Sequence, residues 1–138
     1  MSVCVFYGHR DAPQAVLPRL RATVATLIEQ GTDTFYVGNH GDFDRMVRAE
    51  LIALKAEHPH IRCAVVLAYL PHAPLAYDTV YPEGLENVPP RFAIDARNRW
   101  MLARADVVVT YVCRPYGGAA KYKRVAQRRG RRVIELAE

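Results

Sequence analysis

The alternation of strand-like and helix-like segments along these 138 residues predicts an α/β fold, a three-layer α/β/α domain built on a mainly parallel five-stranded sheet. Three observations carry that expectation. Short β-rich runs recur between segments of helical period. The third of these runs is apolar at nearly every position, as a strand covered on both faces must be. Three of the runs stop at glycine-containing turns, where a chain passes from strand to helix.

Taken in order, Val3-Cys-Val-Phe-Tyr7 is the first strand, ending at Gly8. Residues 14 to 30 follow with Val16, Leu20, Val24, Leu27 and Ile28 at helical spacing, and Gly31 stops the helix. Thr34-Phe-Tyr-Val37 is the second strand, and a helix from about Phe43 to Glu57 places Phe43, Val47, Leu51 and Leu54 on one stripe before His58-Pro59 ends it. Ile61 to Leu70 is the third strand. Residues 71 to 90 hold five of the nine prolines and show neither period, which marks a long loop. A helix over 91–104, a fourth strand over 106–112, a helix over 119–129 and a fifth strand over 132–136 complete the pattern. Right-handed crossovers then place the first and fourth strands side by side at the switch point of a Rossmann-like sheet, where ligands bind.

The length suits one domain spanning residues 1–138. No apolar run approaches the roughly 20 residues a membrane helix needs, and the first residues lack a signal peptide's basic region and cleavage site, so a cytoplasmic location without membrane attachment is expected. Cys4, Cys63 and Cys113 lie far apart in strand-like runs, which argues for buried reduced thiols rather than disulfides or a metal site. The formal charge is +5, and Lys121, Lys123, Arg124, Arg128, Arg129, Arg131 and Arg132 crowd the last helix and strand. That cluster fits phosphate-bearing partners, and equally a solvated face at the negative end of a helix dipole.

The chemistry falls on the turns. Gly8-His9-Arg10, Gly38-Asn39-His40-Gly41-Asp42 and Arg114-Pro115-Tyr116-Gly117-Gly118 follow the first, second and fourth strands and open on one edge of a parallel sheet. Glycines there admit a phosphate to the backbone, and a helix amino terminus offers free N–H groups; Gly117-Gly118 is the clearest such turn. Arg10 is suited to a phosphate, and His9 to hydrogen bonding or acid/base work. Asp42 is placed to cap the second helix, whereas Asp44 serves either the helix dipole or a ribose hydroxyl. Arg97, Asn98 and Arg99 put two guanidiniums and an amide into one turn of an otherwise apolar helix.

Together, Gly38-x-x-Gly41-x-Phe43-Asp44, Arg97-x-x-x-Met101-x-x-x-x-Asp106 with its following strand, and Tyr116-Gly117-Gly118 resemble the SLOG superfamily, which unites DprA, the LOG cytokinin-activating enzymes and YpsA-like proteins. The segment from Arg97 to Ala120 looks closest to the YpsA-like branch. The resemblance implies a nucleotide or nucleotide-derived ligand, with no other cofactor required, lying against Gly8, His9, Arg10, Gly38, Asn39, Gly41, Asp44, Arg97, Tyr116, Gly117 and Gly118. The hydrolases of the superfamily carry Pro-Gly-Gly-x-Gly-Thr-x-x-Glu. Here Tyr116 replaces the proline, Ala120 the later glycine, Lys121 the threonine and Arg124 the glutamate, so the cleaving carboxylate is not found and no catalytic residue is assigned. A carboxylate is needed to stabilise the sugar cation and activate water. The expectation is therefore a binding protein of sensor type, with LOG-like phosphoribohydrolysis and DprA-like nucleic-acid binding as alternatives. Tyr69, Tyr77 and Tyr81 of the long loop suit a homo-oligomer interface as well as a stacking pocket.

Overall fold

The computed structural model describes all residues from 1 to 138. Strands β1 (Val3–Gly8), β2 (Thr34–Val37), β3 (Arg62–Val66), β4 (Thr79–Val80), β5 (Val107–Tyr111) and β6 (Arg132–Glu135) alternate with helices α1 (Leu17–Glu29), α2 (Asp42–Glu57), α3 (Ala93–Arg104) and α4 (Gly118–Arg128). All strand pairs are parallel, in the order β4-β3-β2-β1-β5-β6. The sheet thus has six strands where the sequence predicts five. The addition, β4, lies inside the proline-rich loop, where two residues are too few to display a period and are held only by pairing with Val65 and Val66.

Strand β1 sits at the centre and shows why the layers form. Cys4 and Phe6 point to one face, where Leu20, Val24 and Leu27 of α1 and Phe43, Val47 and Leu51 of α2 bury them. Val3, Val5 and Tyr7 point to the other, against Met101 and Leu102 of α3 and Tyr122 and Ala126 of α4. Each such fully buried Leu or Phe contributes about 1.5–3 kcal/mol. Two-sided burial is what makes the central strands apolar without alternation.

Three expectations need correction. The third strand ends at Val66 rather than Leu70, because beyond it Leu67 stays in the main core, Ala68 turns into a small separate cluster with Leu85 and Ala93, and Tyr69 and Leu70 emerge into solvent. The thiols are not uniformly buried: Cys4 is, Cys63 is half-buried and Cys113, just past β5, is exposed. Asp42 does not cap α2. The cap is Gly41, and Asp42 pairs with Arg45 at 2.7 Å. No helix is long and apolar enough to cross a membrane.

Candidate functional site

At the carboxyl edge the chain leaves β1 toward β2 on one side and returns through β5 on the other, so their loops part and leave a crevice. A cavity of about 400 Å³ occupies it, lined by residues 6–10, Gly38, His40, Asp44, Ile94, Arg97, Asn98, Arg114 and residues 116–119. That volume lies within the range of small-molecule sites, about 300–1,000 Å³.

The β1–β2 side is a clamp. A Cβ on Gly8 would stand 2.2 Å from the Phe43 ring, so only glycine lets α2 close onto the end of β1. At Gly41 the same atom would meet Arg10 Cα at 2.6 Å, and the Asp42 N–H donates to the Arg10 carbonyl at 2.8 Å. The third contact is made by charged groups. A Cβ on Gly38 would lie 2.5 Å from an Arg97 guanidinium nitrogen and 2.9 Å from an Asp44 carboxylate oxygen. Both charged groups are thus pressed onto bare backbone.

Arg97 is only 3% exposed. Its Nε donates to Asn98 Oδ1 at 2.8 Å, one terminal nitrogen donates to the Val66 carbonyl at 3.1 Å, and the other approaches His40 Nδ1 at 3.4 Å. This guanidinium pins α3 to the end of β3 and to the turn after β2, leaving part of its donor set for the cavity. Burial holds its pKa below the ordinary arginine value. Burial also pushes Asp44 up to about 6, against the His40 N–H it accepts at 3.1 Å and the neighbouring Arg97, Arg48 and Arg10. His40 is pushed down to about 4, by burial first and then by the same three arginines.

His9 is a strut rather than an acid or base. Its backbone N–H donates to the Tyr111 carbonyl at 3.2 Å, and its Nε2 accepts the Cys113 N–H at 3.1 Å. The ring is therefore neutral with its proton on Nδ1, and burial followed by Arg114 lowers its pKa further.

The β5–α4 side differs. Gly117 caps α4 with φ +96°, a conformation that penalises any side chain, and neither Gly117 nor Gly118 would bring a Cβ within 4 Å of another group. No acidic residue stands in the first turn and no side chain caps it, so the first N–H groups of α4 face the cavity unpaired. Tyr116 is 67% exposed at the lip. Beside it, Arg114 grips Asp11 through two bonds of 2.6 and 3.2 Å.

Of the residues expected from sequence, Gly8, His9, Arg10, Gly38, Asp44, Arg97, Tyr116, Gly117 and Gly118 meet at this cavity. Asn39 and Gly41 do not line it, Gly41 because it is packed on Arg10. His40, Asn98 and Arg114 line it without having been assigned a role, although each stands inside a motif already singled out. Arg99 faces away and pairs with Asp95 at 3.7 Å. Most of the basic cluster is engaged locally: Lys121 with Asp95, Lys123 with Glu135, Arg132 with Gln30 and Arg124 with the Pro115 carbonyl.

No family model and no curated protein matches this chain. Among solved structures, DNA processing protein A from Helicobacter pylori, described for its single-stranded DNA binding mode, is similar with a TM-score of 0.62 and 16% identity. The likeness covers 97% of this chain and 64% of that one. At that identity it shows a shared Rossmann-like α/β fold.

Proposed function

We propose that the cavity binds a nucleotide or nucleotide-derived ligand in the manner of a YpsA-like SLOG protein, as a sensor rather than a glycoside-cleaving enzyme. The observation that carries this is the open amino terminus of α4, with Gly117 and Gly118 bare toward a cavity that Arg10, Arg97 and Arg114 line and Asp44 alone makes acidic. Backbone N–H groups and the helix dipole receive the phosphate, and Arg10, which has no partner of its own, adds a planar fork. Asp44 accepts a ribose hydroxyl, and Tyr116 offers the base an exposed ring. Hydrolysis is disfavoured because Arg124 stands at the position of the hydrolase glutamate and is turned to the Pro115 carbonyl.

Thermal stabilisation by AMP, NAD, ADP-ribose and cyclic nucleotides tests the reading. A ligand at about 100 times its dissociation constant adds roughly 2.7 kcal/mol. A shift with one of them that is lost in Gly118→Val supports the site, and the absence of any shift counts against it. Free base released from a nucleoside monophosphate would instead establish an enzyme.

A second reading, single-stranded nucleic acid, is favoured by the single-stranded DNA binding of the similar DNA processing protein and by Arg128 and Arg129, which are exposed on α4 and its cap. It requires a shift with oligonucleotide alone, and affinity falling about 0.7 log units per log of salt for each phosphate contacted.

A further inference from the structure

A second cavity, of about 230 Å³, opens on the far side of β2, between α2 and residues 76–78. Its walls are mainly apolar, with Leu51 and Ile52 from α2, Cys63 and Val65 from β3, and Tyr77 from the loop. Two cations, Arg48 and Lys55, stand on the same stripe of α2 and also line it. Neither has a carboxylate partner. Arg48 donates to the Gly38 carbonyl at 3.3 Å, and Lys55 donates to the backbone carbonyls of Pro59 and Ile61. Against them the groove holds one acid, Asp78, which leaves an excess of one positive charge.

We propose that this groove binds a small aromatic monocarboxylate, with its ring among Leu51, Val65 and Tyr77 and its carboxylate on Arg48. Size, lining and charge each restrict the occupant. Benzene fills an engineered apolar cavity of about 150 Å³, so this volume takes one ring and a short acidic arm, and it is below the usual size of nucleotide-scale pockets. The apolar walls exclude a fully hydrated phosphate ester. One surplus positive charge balances one carboxylate, which the guanidinium fork accepts in bidentate fashion.

Gly38 lines the first cavity and is tied to the groove through Arg48. Arg97 and Asp44 pack where its Cβ would stand, and its carbonyl accepts from Arg48. A carboxylate that draws Arg48 toward itself weakens that bond, so the Gly38 amide reports on occupancy.

The test is a titration of the ¹⁵N-labelled chain with phenylacetate, using phenylacetamide as the neutral isostere. Saturable shifts at Val37, Gly38, Leu51, Ile52, Cys63 and Tyr77 are expected, about tenfold or more weaker for the amide and for Arg48→Met. Ile52→Glu, at a position 57% exposed, places a carboxylate at the rim without disturbing the core and should weaken binding similarly. As an independent readout, burial pushes the Cys63 thiol up to about 11, so in a Cys113→Ser background its alkylation at alkaline pH should slow when phenylacetate is present. Equal response to the amide, undiminished binding in both variants, shifts centred on Gly117 and Gly118, unchanged alkylation, or no saturable shift would each overturn the assignment.

Discussion

The two walls of the cavity are built from the same residue type to opposite ends. On the β1–β2 wall, Gly8 and Gly38 are glycine because a ring, a guanidinium and a carboxylate already occupy the space a side chain would need. On the β5–α4 wall, Gly117 and Gly118 face nothing within 4 Å. One wall uses glycine to close the fold and the other leaves a helix terminus accessible. A glycine turn at a sheet edge therefore marks a ligand site only where its missing side chain leaves space unfilled.

A methyl group added on each wall should have opposite consequences. Gly38→Ala must displace Arg97 and Asp44 together, and Gly8→Ala must displace Phe43. Each should lose about 3 kcal/mol in urea unfolding, at the upper end of overpacking costs. Gly118→Ala, in the first turn of α4, should stay within about 0.5 kcal/mol of the parent. Its effect should fall on ligand affinity, by about tenfold, since the methyl group covers the N–H groups a phosphate needs. Equal losses of stability on both walls would show that the difference between them is only apparent.

Next in size is the pH response of the clamp. Asp44 is raised to about 6, so between about pH 4 and 6 the folded chain holds a proton the unfolded chain has released, and stability falls as pH rises. His40 is lowered to about 4, so over nearly the same interval the unfolded chain holds the extra proton and stability rises with pH. The two slopes oppose each other, and the parent should be nearly flat across this window. Asp44→Asn, which keeps an acceptor for the His40 N–H, should gain up to about 3 kcal/mol at pH 7 and become less stable on acidification below about 6.5. His40→Asn should show the reverse slope, with stability falling from pH 4 to 6. Urea unfolding at pH 4.5 and 7 distinguishes the cases, and parallel slopes in both variants would refute the pairing.

The fold was legible where periodicity governs it. The apolar stripes of α1 and α2 and the unalternating β1 and β5 are consequences of burial, so the sequence displays them. Strand β4 was not legible, because Thr79 and Val80 become a strand only by meeting β3. The site was legible as a set of turns and not as a division of labour. Nothing in Gly38-Asn39-His40-Gly41 says that Arg97, 57 residues beyond His40, will press against it. Nor does an arginine between Ala96 and Asn98 announce that it is buried; that follows from α3 crossing the end of β3. His9 reads as a candidate base until the Cys113 N–H is seen to occupy its Nε2.

The smallest expected effect lies at the lip, where the clamp reaches across to the open wall through Asp11 and Arg114. Both belong to exposed loops, and the Arg114 guanidinium also lies over the Tyr116 ring at 5.7 Å. Exposed pairs contribute little to folding, so Asp11→Ala should leave the unfolding midpoint essentially unchanged. The freed guanidinium, however, stays beside Gly117, where the loss of a competing carboxylate favours an incoming anion. Affinity for a mononucleotide should rise by about threefold at low salt, and the gain should shrink at high salt as screening takes effect. Weaker binding in Asp11→Ala would mean that the ion pair holds Arg114 in its binding position, and the lip would then belong to the clamp rather than to the open wall.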